Sequence, residues 1–197
     1  SDIIAKKMGV KPKLRIIPFR GEYYNIKPHM KHLVKGLIYP VPDPNFPFLG
    51  VHFTKTVHDG LIEAGPNAVL GWAREAYKKI NVNPRELIST LTYPGFIKFA
   101  LQNWLIGFNE INRSFRKSVF VKDLQKMIPE IKSSDLTSGG AGVRAQAIGY
   151  DGELIDDFAF EFTEKSIHVL NAPSPGATSS MVIGKYIADL ALKQLSN

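Results

Sequence analysis

No cysteine occurs in the 197 residues, which removes disulfides, thiolate metal ligands and thiol nucleophiles. No apolar run approaches the roughly 18 residues of a membrane-spanning helix, and the opening stretch, Ser1 to Lys13, has neither the apolar centre nor the small-residue cleavage site of an export signal. Internal repeats and low-complexity tracts are missing as well. Neither a phosphate-binding loop ending in Lys-Ser or Lys-Thr nor the Gly-x-Gly-x-x-Gly turn of a dinucleotide-binding fold is present. There is no Gly-x-Ser-x-Gly elbow to support serine hydrolysis. Of the histidines, only His29 and His32 are close in sequence, without a neighbouring carboxylate, while His52, His58 and His168 are scattered, so no metal site is read.

What is there fits a globular chain with a sizeable core: 44% hydrophobic and 22% charged residues. The +7 formal charge is local, because the first 35 residues hold nine Lys/Arg against two Asp/Glu and the rest balances at sixteen of each. That segment suits an anionic small substrate, a lipid headgroup or nucleic acid, or is simply a solvated basic face. Nucleic acid ranks lowest, since no recognition helix, zinc site or base-stacking motif accompanies the charge.

Periodicity predicts an α+β fold. Asp2 to Met8 reads as a short helix closed by Gly9 and Pro12. Strand-like runs follow at Leu14–Phe19, Glu22–Ile26, Leu37–Val41, Gly50–Thr54 and Leu61–Glu63, punctuated by Gly, Pro, Asn and Asp, including a Pro-rich stretch from Pro40 to Pro47. In the fourth run His52 and Thr54 face away from Val51 and Phe53. Ile97, Leu101, Trp104, Leu105 and Phe108, then Val119, Leu124, Met127 and Ile128, recur at helical spacing. Asn83-Pro84 with Glu86 reads as a helix start with a capping box. Strands return at Val143–Ile148, Phe158–Phe162 and Ile167–Leu170, and Ser179 to Leu195 closes the chain as a helix. The expected architecture is a mixed, largely antiparallel sheet with covering helices, plus a C-terminal strand and helix.

Two segments could carry chemistry. Asn171 to Ser180, NAPSPGATSS, places small residues between a strand and a helix N-terminus, where unpaired N–H groups and a partial positive charge suit an anion or an electron-rich ring. Pattern alone favours a plain strand-to-helix turn with Ser and Thr caps. Gly139-Gly140-Ala141-Gly142-Val143-Arg144 leads into a strand and ends on an arginine that is either a substrate clamp or an ordinary surface residue, the latter favoured on pattern. His52 is either a general base or a hydrogen-bonded structural histidine. Adjacent Asp156 and Asp157 face opposite sides of an extended chain and do not converge.

Four strings in order narrow the reading: Pro18-Phe19-Arg20-Gly21-Glu22-Tyr23-Tyr24; Leu37 to Thr54, LIYPVPDPNFPFLGVHFT; Gly65-Pro66-Asn67-Ala68-Val69-Leu70; and Ala141-Gly142-Val143-Arg144-Ala145-Gln146-Ala147. With NAPSPGATSS they make the chain, along nearly its whole length, resemble the FAD-dependent L-2-hydroxyglutarate dehydrogenases and oxidases of the D-amino-acid-oxidase-like flavoprotein group. The resemblance implies FAD as cofactor of the intact protein, with the dinucleotide-binding half absent from this sequence. Residues 1–11 and 139–197 would then belong to the FAD domain and 12–138 to the substrate domain. Asn171, Ala172, Pro173, Ser174, Gly176, Ala177 and Thr178 would meet the flavin, the helix end countering negative charge on the reduced ring.

A small dicarboxylate substrate would be held by Arg20 and Arg144, with Tyr24 and Tyr39 as hydrogen-bond donors. His52 would be the base for the hydroxyl proton, unless a histidine of the absent half serves. The chain alone is expected to be inactive, to bind FAD weakly, and to expose an apolar face at residues 143–170 and the last helix, through which it pairs with that half or self-associates. The compartment follows the host: cytoplasm or the periphery of the inner membrane in a bacterium, the mitochondrion in a eukaryote. The alternative is a non-catalytic module using its basic N-terminal segment on anionic lipid or nucleic acid.

Overall fold

The computed structural model describes residues 1–41, 50–57, 59–173 and 176–195. The centre of the Pro-rich stretch, His58, Ser174 and Pro175 therefore lie outside the described residues. Along the chain run helix α1 (Asp2–Lys7), strand β1 (Leu14–Ile26), a 3-10 helix (Pro28–Leu33), β2 (His52–Lys55), β3 (Ile62–Gly65) and β4 (Val69–Leu70). Helices α2 (Pro84–Leu91), α3 (Pro94–Gln102), α4 (Trp104–Phe115) and α5 (Lys117–Gln125) follow, then β5 (Leu136–Gly149), β6 (Ala159–Thr163), β7 (Ser166–Asn171) and α6 (Ser180–Leu195). The class is α+β. The chain folds as two compact units, residues 17–145 and residues 1–16 with 146–197.

In the unit of residues 17–145, β1 is the organising strand. The two runs expected on either side of Arg20 and Gly21 are one strand, because both its edges find partners. β3 pairs with it antiparallel through Tyr24–Ala64 and Asn25–Glu63, β4 through Phe19–Leu70 and Arg20–Val69, and β5 also pairs with it. β2 adds to β3, with His52 opposite Gly65 and Phe53 opposite Ala64. Leu37–Val41 does not form the expected strand; only Ile38 makes a bridge, to Phe53. The proline at position 40 has no N–H to extend a ladder. The two-residue strand β4 was not legible, since Val69-Leu70 is too short to show a period.

Alternation along the strands sorts the side chains. Ile26, Phe53, Ile62 and Ala64 form a core with Phe120, Val121 and Leu124 of α5, and Tyr24 stands edge-on to Phe120 at 4.9 Å between centroids. The same face carries Glu22, whose Oε2 accepts from Ser114 Oγ of α4 at 2.8 Å. Helix α2 starts as expected: Asn83 Oδ1 accepts from the N–H groups of Arg85 and Glu86. The reciprocal half of the capping box is replaced, because Glu86 Oε2 takes the N–H of Arg74 at 2.7 Å.

Residues 1–16 and 146–197 make a smaller core from Ala5, Leu14, Ile16, Ala147 and Leu170. Asp2, fully buried, accepts from the N–H of Ile16. The period of two in Phe158, Phe160 and Phe162 becomes a ladder of rings with centroids 6.0 and 6.3 Å apart, and Tyr186 of α6 packs on Phe160 at 6.0 Å.

Gly65 sits where no other residue fits. Its φ is +149°, and a Cβ there would stand 2.7 Å from the Glu22 carbonyl oxygen and 3.0 Å from the Tyr23 ring. Gly65→Ala is expected to cost more than about 1 kcal/mol in urea denaturation, through both the contact and the backbone conformation; an unchanged midpoint would show that β3 can move off β1.

Candidate functional site

The face of β1 away from α5 carries Phe19, Gly21, Tyr23 and Asn25, and its neighbours across β3 and β2 are Glu63, Gly65, His52 and Thr54. This is the polar face. A cleft of about 310 Å³ opens on it, lined by Gly21, Tyr23, Pro66, Asn67, Val143 and Arg144 among others. Two features hold its walls. Glu110 of α4, buried, accepts the N–H of Ala68 at 2.8 Å and pairs with Arg113, so the turn after Pro66 is pinned from below. Burial pushes the Glu110 carboxyl up, against the pull of the Ala68 N–H and of Arg113. Asn67 is locked by a reciprocal pair: its Oδ1 accepts the Glu22 N–H at 2.7 Å and its Nδ2 donates to Glu22 Oε2 at 3.0 Å.

One strand over, His52 and Tyr39 stack with ring centroids 4.2 Å apart and planes at 21°. His52 Nδ1 lies 3.0 Å from the Gly50 carbonyl. A carbonyl only accepts, so Nδ1 carries the hydrogen and the neutral ring keeps its lone pair on Nε2. Opposite His52 stands Gly65, without a side chain, and beyond it Tyr23. The Tyr23 phenol is pushed above its usual range by burial first, then by Glu63 and Tyr39; it remains an O–H donor well into alkaline pH. The face thus groups a histidine with its ring lone pair on Nε2, two tyrosines, a carboxylate and, in the adjoining cleft, an arginine.

The residues expected to hold substrate do not all meet. His52, Tyr39 and Arg144 belong to the polar face or its cleft. Arg20 and Tyr24 occupy even positions of β1 and line a different cleft, with Arg144 absent from it. Arg20 is 6% exposed and its Nη2 donates to Glu22 Oε1 at 2.9 Å. The two arginines thus line different clefts within residues 17–145. Tyr23, adjacent to Tyr24, was missed; the signal that could have found it is the period of two, which puts it on the side of Gly21 and away from Arg20.

In the other unit, Asn171 ends β7 and its Nδ2 donates to the carbonyls of Ile155 and Asp157 at 2.9 and 2.8 Å. Its side-chain amide therefore braces the chain around Asp156 and Asp157, the pair expected not to converge. Ala172, Ala177, Thr178 and Ser180 are exposed, and α6 begins with Ser180 donating its N–H to the Ala177 carbonyl. Small exposed residues at 172, 177 and 178 thus precede a 16-residue helix. Small exposed residues before a helix N-terminus are of a chemistry that would suit a flavin, and the Asn171 side chain is engaged with Ile155 and Asp157.

Among the described residues there is no group of three or more His, Asp or Glu that could hold a metal ion, and no helix long and apolar enough to cross a membrane.

Residues 1–190 match the family described as FAD dependent oxidoreductase. An L-2-hydroxyglutarate dehydrogenase of Indibacter alkaliphilus is 56% identical over 196 residues, 98% of this chain and 49% of that protein. Two relatives named as mitochondrial L-2-hydroxyglutarate dehydrogenases are similar as well. That of Nematostella vectensis is 47% identical, covering 100% of this chain and 44% of its own length, and that of Homo sapiens is 48% identical, covering 96% and 42%. The chain spans about half the length of the curated relatives it matches.

Proposed function

The chain belongs to the FAD dependent oxidoreductase family, and on that premise we propose that it forms the substrate-side part of an enzyme oxidising an L-2-hydroxy acid, L-2-hydroxyglutarate in the first instance, to the 2-oxo acid. The observation that carries the reading is the polar face: His52, Tyr39 and Tyr23 beside the Arg144 cleft, in a chain 56% identical to an L-2-hydroxyglutarate dehydrogenase. Half coverage of that relative supports a longer working protein, with residues 12–138 as substrate domain and 1–11 and 139–197 as parts of an FAD domain.

In this reading Arg144 holds a substrate carboxylate through paired N–H donors. Tyr23 and Tyr39 donate hydrogen bonds to the bound acid. His52 takes the hydroxyl proton on Nε2, and the Gly50 carbonyl, already bonded to Nδ1–H, steadies the imidazolium that results. Bound FAD supplies the acceptor for the hydrogen and electron pair leaving the hydroxyl-bearing carbon. Ala172, Pro173 and residues 176–178 would support that ring from the main chain, and Ser174 belongs to the same proposal by sequence. A bacterial host would place the protein in the cytoplasm or against the inner membrane, a eukaryotic one in the mitochondrion. The alternative of a non-catalytic module on lipid or nucleic acid gains no support from the relatives.

The test is Arg144→Lys in the complete oxidoreductase. Lysine keeps the charge and loses the fork, so kcat/KM on L-2-hydroxyglutarate is expected to fall several tens-fold, about 2 kcal/mol or more, at full flavin content. A near wild-type value with full flavin would remove Arg144 from the substrate.

A further inference from the structure

The second cleft in residues 17–145, about 370 Å³, takes no part in the reaction proposed above. Arg20, Glu22, Tyr24, Tyr77, Lys78 and Lys79 line it, together with Tyr23 and main chain from Ser138 to Ala141. Three cations stand against one carboxylate, and that carboxylate is fully engaged. Glu22 Oε1 receives Arg20 Nη2 at 2.9 Å and Lys79 Nζ at 3.3 Å, while Oε2 receives Asn67 Nδ2 and Ser114 Oγ. The lining is left with an excess of positive charge.

Arg20 shows the same shortage at the level of one atom. Its side chain is 7% exposed, Nη1 reaches the Lys78 carbonyl at 3.4 Å, and Nε is buried without a hydrogen-bond partner among the described residues. A buried charged donor lacking an acceptor is costly, and an anion in the cleft would relieve it through the local field even where a water completes the contact. The opposite wall is close-packed at one glycine and open at the next. A Cβ on Gly139 would strike the Tyr23 carbonyl at 2.8 Å, so β5 runs hard against β1 there, whereas a Cβ on Gly140 would meet nothing within 4 Å. Burial and then Glu22 raise the Tyr24 phenol, which leaves its O–H as a donor beside the cations.

We propose that this cleft is an accessory site for a small oxyanion, a carboxylate or a phosphate, held by Arg20, Lys78 and Lys79 with Tyr24 as hydroxyl donor, separate from the cleft at Arg144. Long polyanions are a poorer match, because the cationic residues line one depression instead of forming a stripe.

The experiment is calorimetric titration of the full chain with inorganic phosphate and, separately, with succinate, chloride being used to hold ionic strength constant. Saturable binding of at least one is expected, and which one saturates names the source of the oxyanion. Lys78→Gln and Lys79→Gln should each weaken it about fivefold or more, and Arg144→Lys, which acts on a dicarboxylate at the substrate cleft, should leave the Lys78-dependent binding unchanged. Lys78 is exposed, so Lys78→Gln tests the site without stranding a buried charge, as Arg20→Gln would; an unchanged urea midpoint confirms its fold. Failure of both anions to saturate by roughly 10 mM would overturn the site, as would binding that Arg144→Lys removes and Lys78→Gln does not.

Discussion

His52→Gln in the complete oxidoreductase is expected to lower kcat on L-2-hydroxyglutarate about 10²- to 10⁴-fold, the usual contribution of a positioned general base. Glutamine can keep the hydrogen bond to the Gly50 carbonyl, now made by Nδ1–H at 3.0 Å, and much of the contact with the Tyr39 ring, so loss of fold is not the expected cause. What it lacks is a basic nitrogen. Tyr39→Phe provides the contrast: the stack at 4.2 Å survives without the hydroxyl, and an effect of no more than about tenfold is expected, one hydrogen bond's worth. Flavin content is measured in each variant. If His52→Gln retains most of kcat with full flavin, the base lies outside this chain and His52 is a structural histidine stacked on a tyrosine.

Glu22→Ala is expected to destabilise the protein by about 3 to 5 kcal/mol, the cost of breaking a buried ion pair from one side. The carboxylate holds Arg20 and Lys79 with one oxygen, Asn67 and Ser114 with the other, and Arg20 has no second carboxylate among the described residues to turn to. Lys79 is half exposed and contributes little by itself; the effect rests on Arg20. Glu22→Gln should fall between, since an amide can serve Asn67 and Ser114 but not the charge. Urea denaturation at neutral pH measures both. A loss under about 1 kcal/mol for Glu22→Ala would mean that water reaches Arg20 and screens it, and would weaken the case for a dry polar hub beneath β1.

The two variants bear on one question, what the string Pro18 to Tyr24 is for. Read as a motif, it offered an arginine and a tyrosine for substrate. Read on the strand, its odd and even residues have different tasks. Arg20, Glu22 and Tyr24 turn to α4, α5 and the accessory cleft, Gly21 lines the cleft of Arg144, and Tyr23 borders both.

Local signals sufficed wherever one segment decides its own conformation. Asn83 before Pro84 starts α2 because a side-chain oxygen can cap the first turn within three residues. The alternating phenylalanines at 158, 160 and 162 announce β6, and the apolar stripe after Ser179 announces α6, because a period is written in adjacent residues. The strings resembling L-2-hydroxyglutarate dehydrogenases were likewise legible, and the family match over residues 1–190 spans them. Only the tertiary structure decided which charges meet. That Glu22 takes the distant Lys79 as well as its strand neighbour Arg20, that Gly65 leaves bare floor between His52 and Tyr23, and that Arg20 and Arg144 line separate clefts all depend on how separate segments pair. A strand's sequence states its two faces but not which one the helices will cover, because that choice is made by the summed burial of β1, β2, β3 and α5 together.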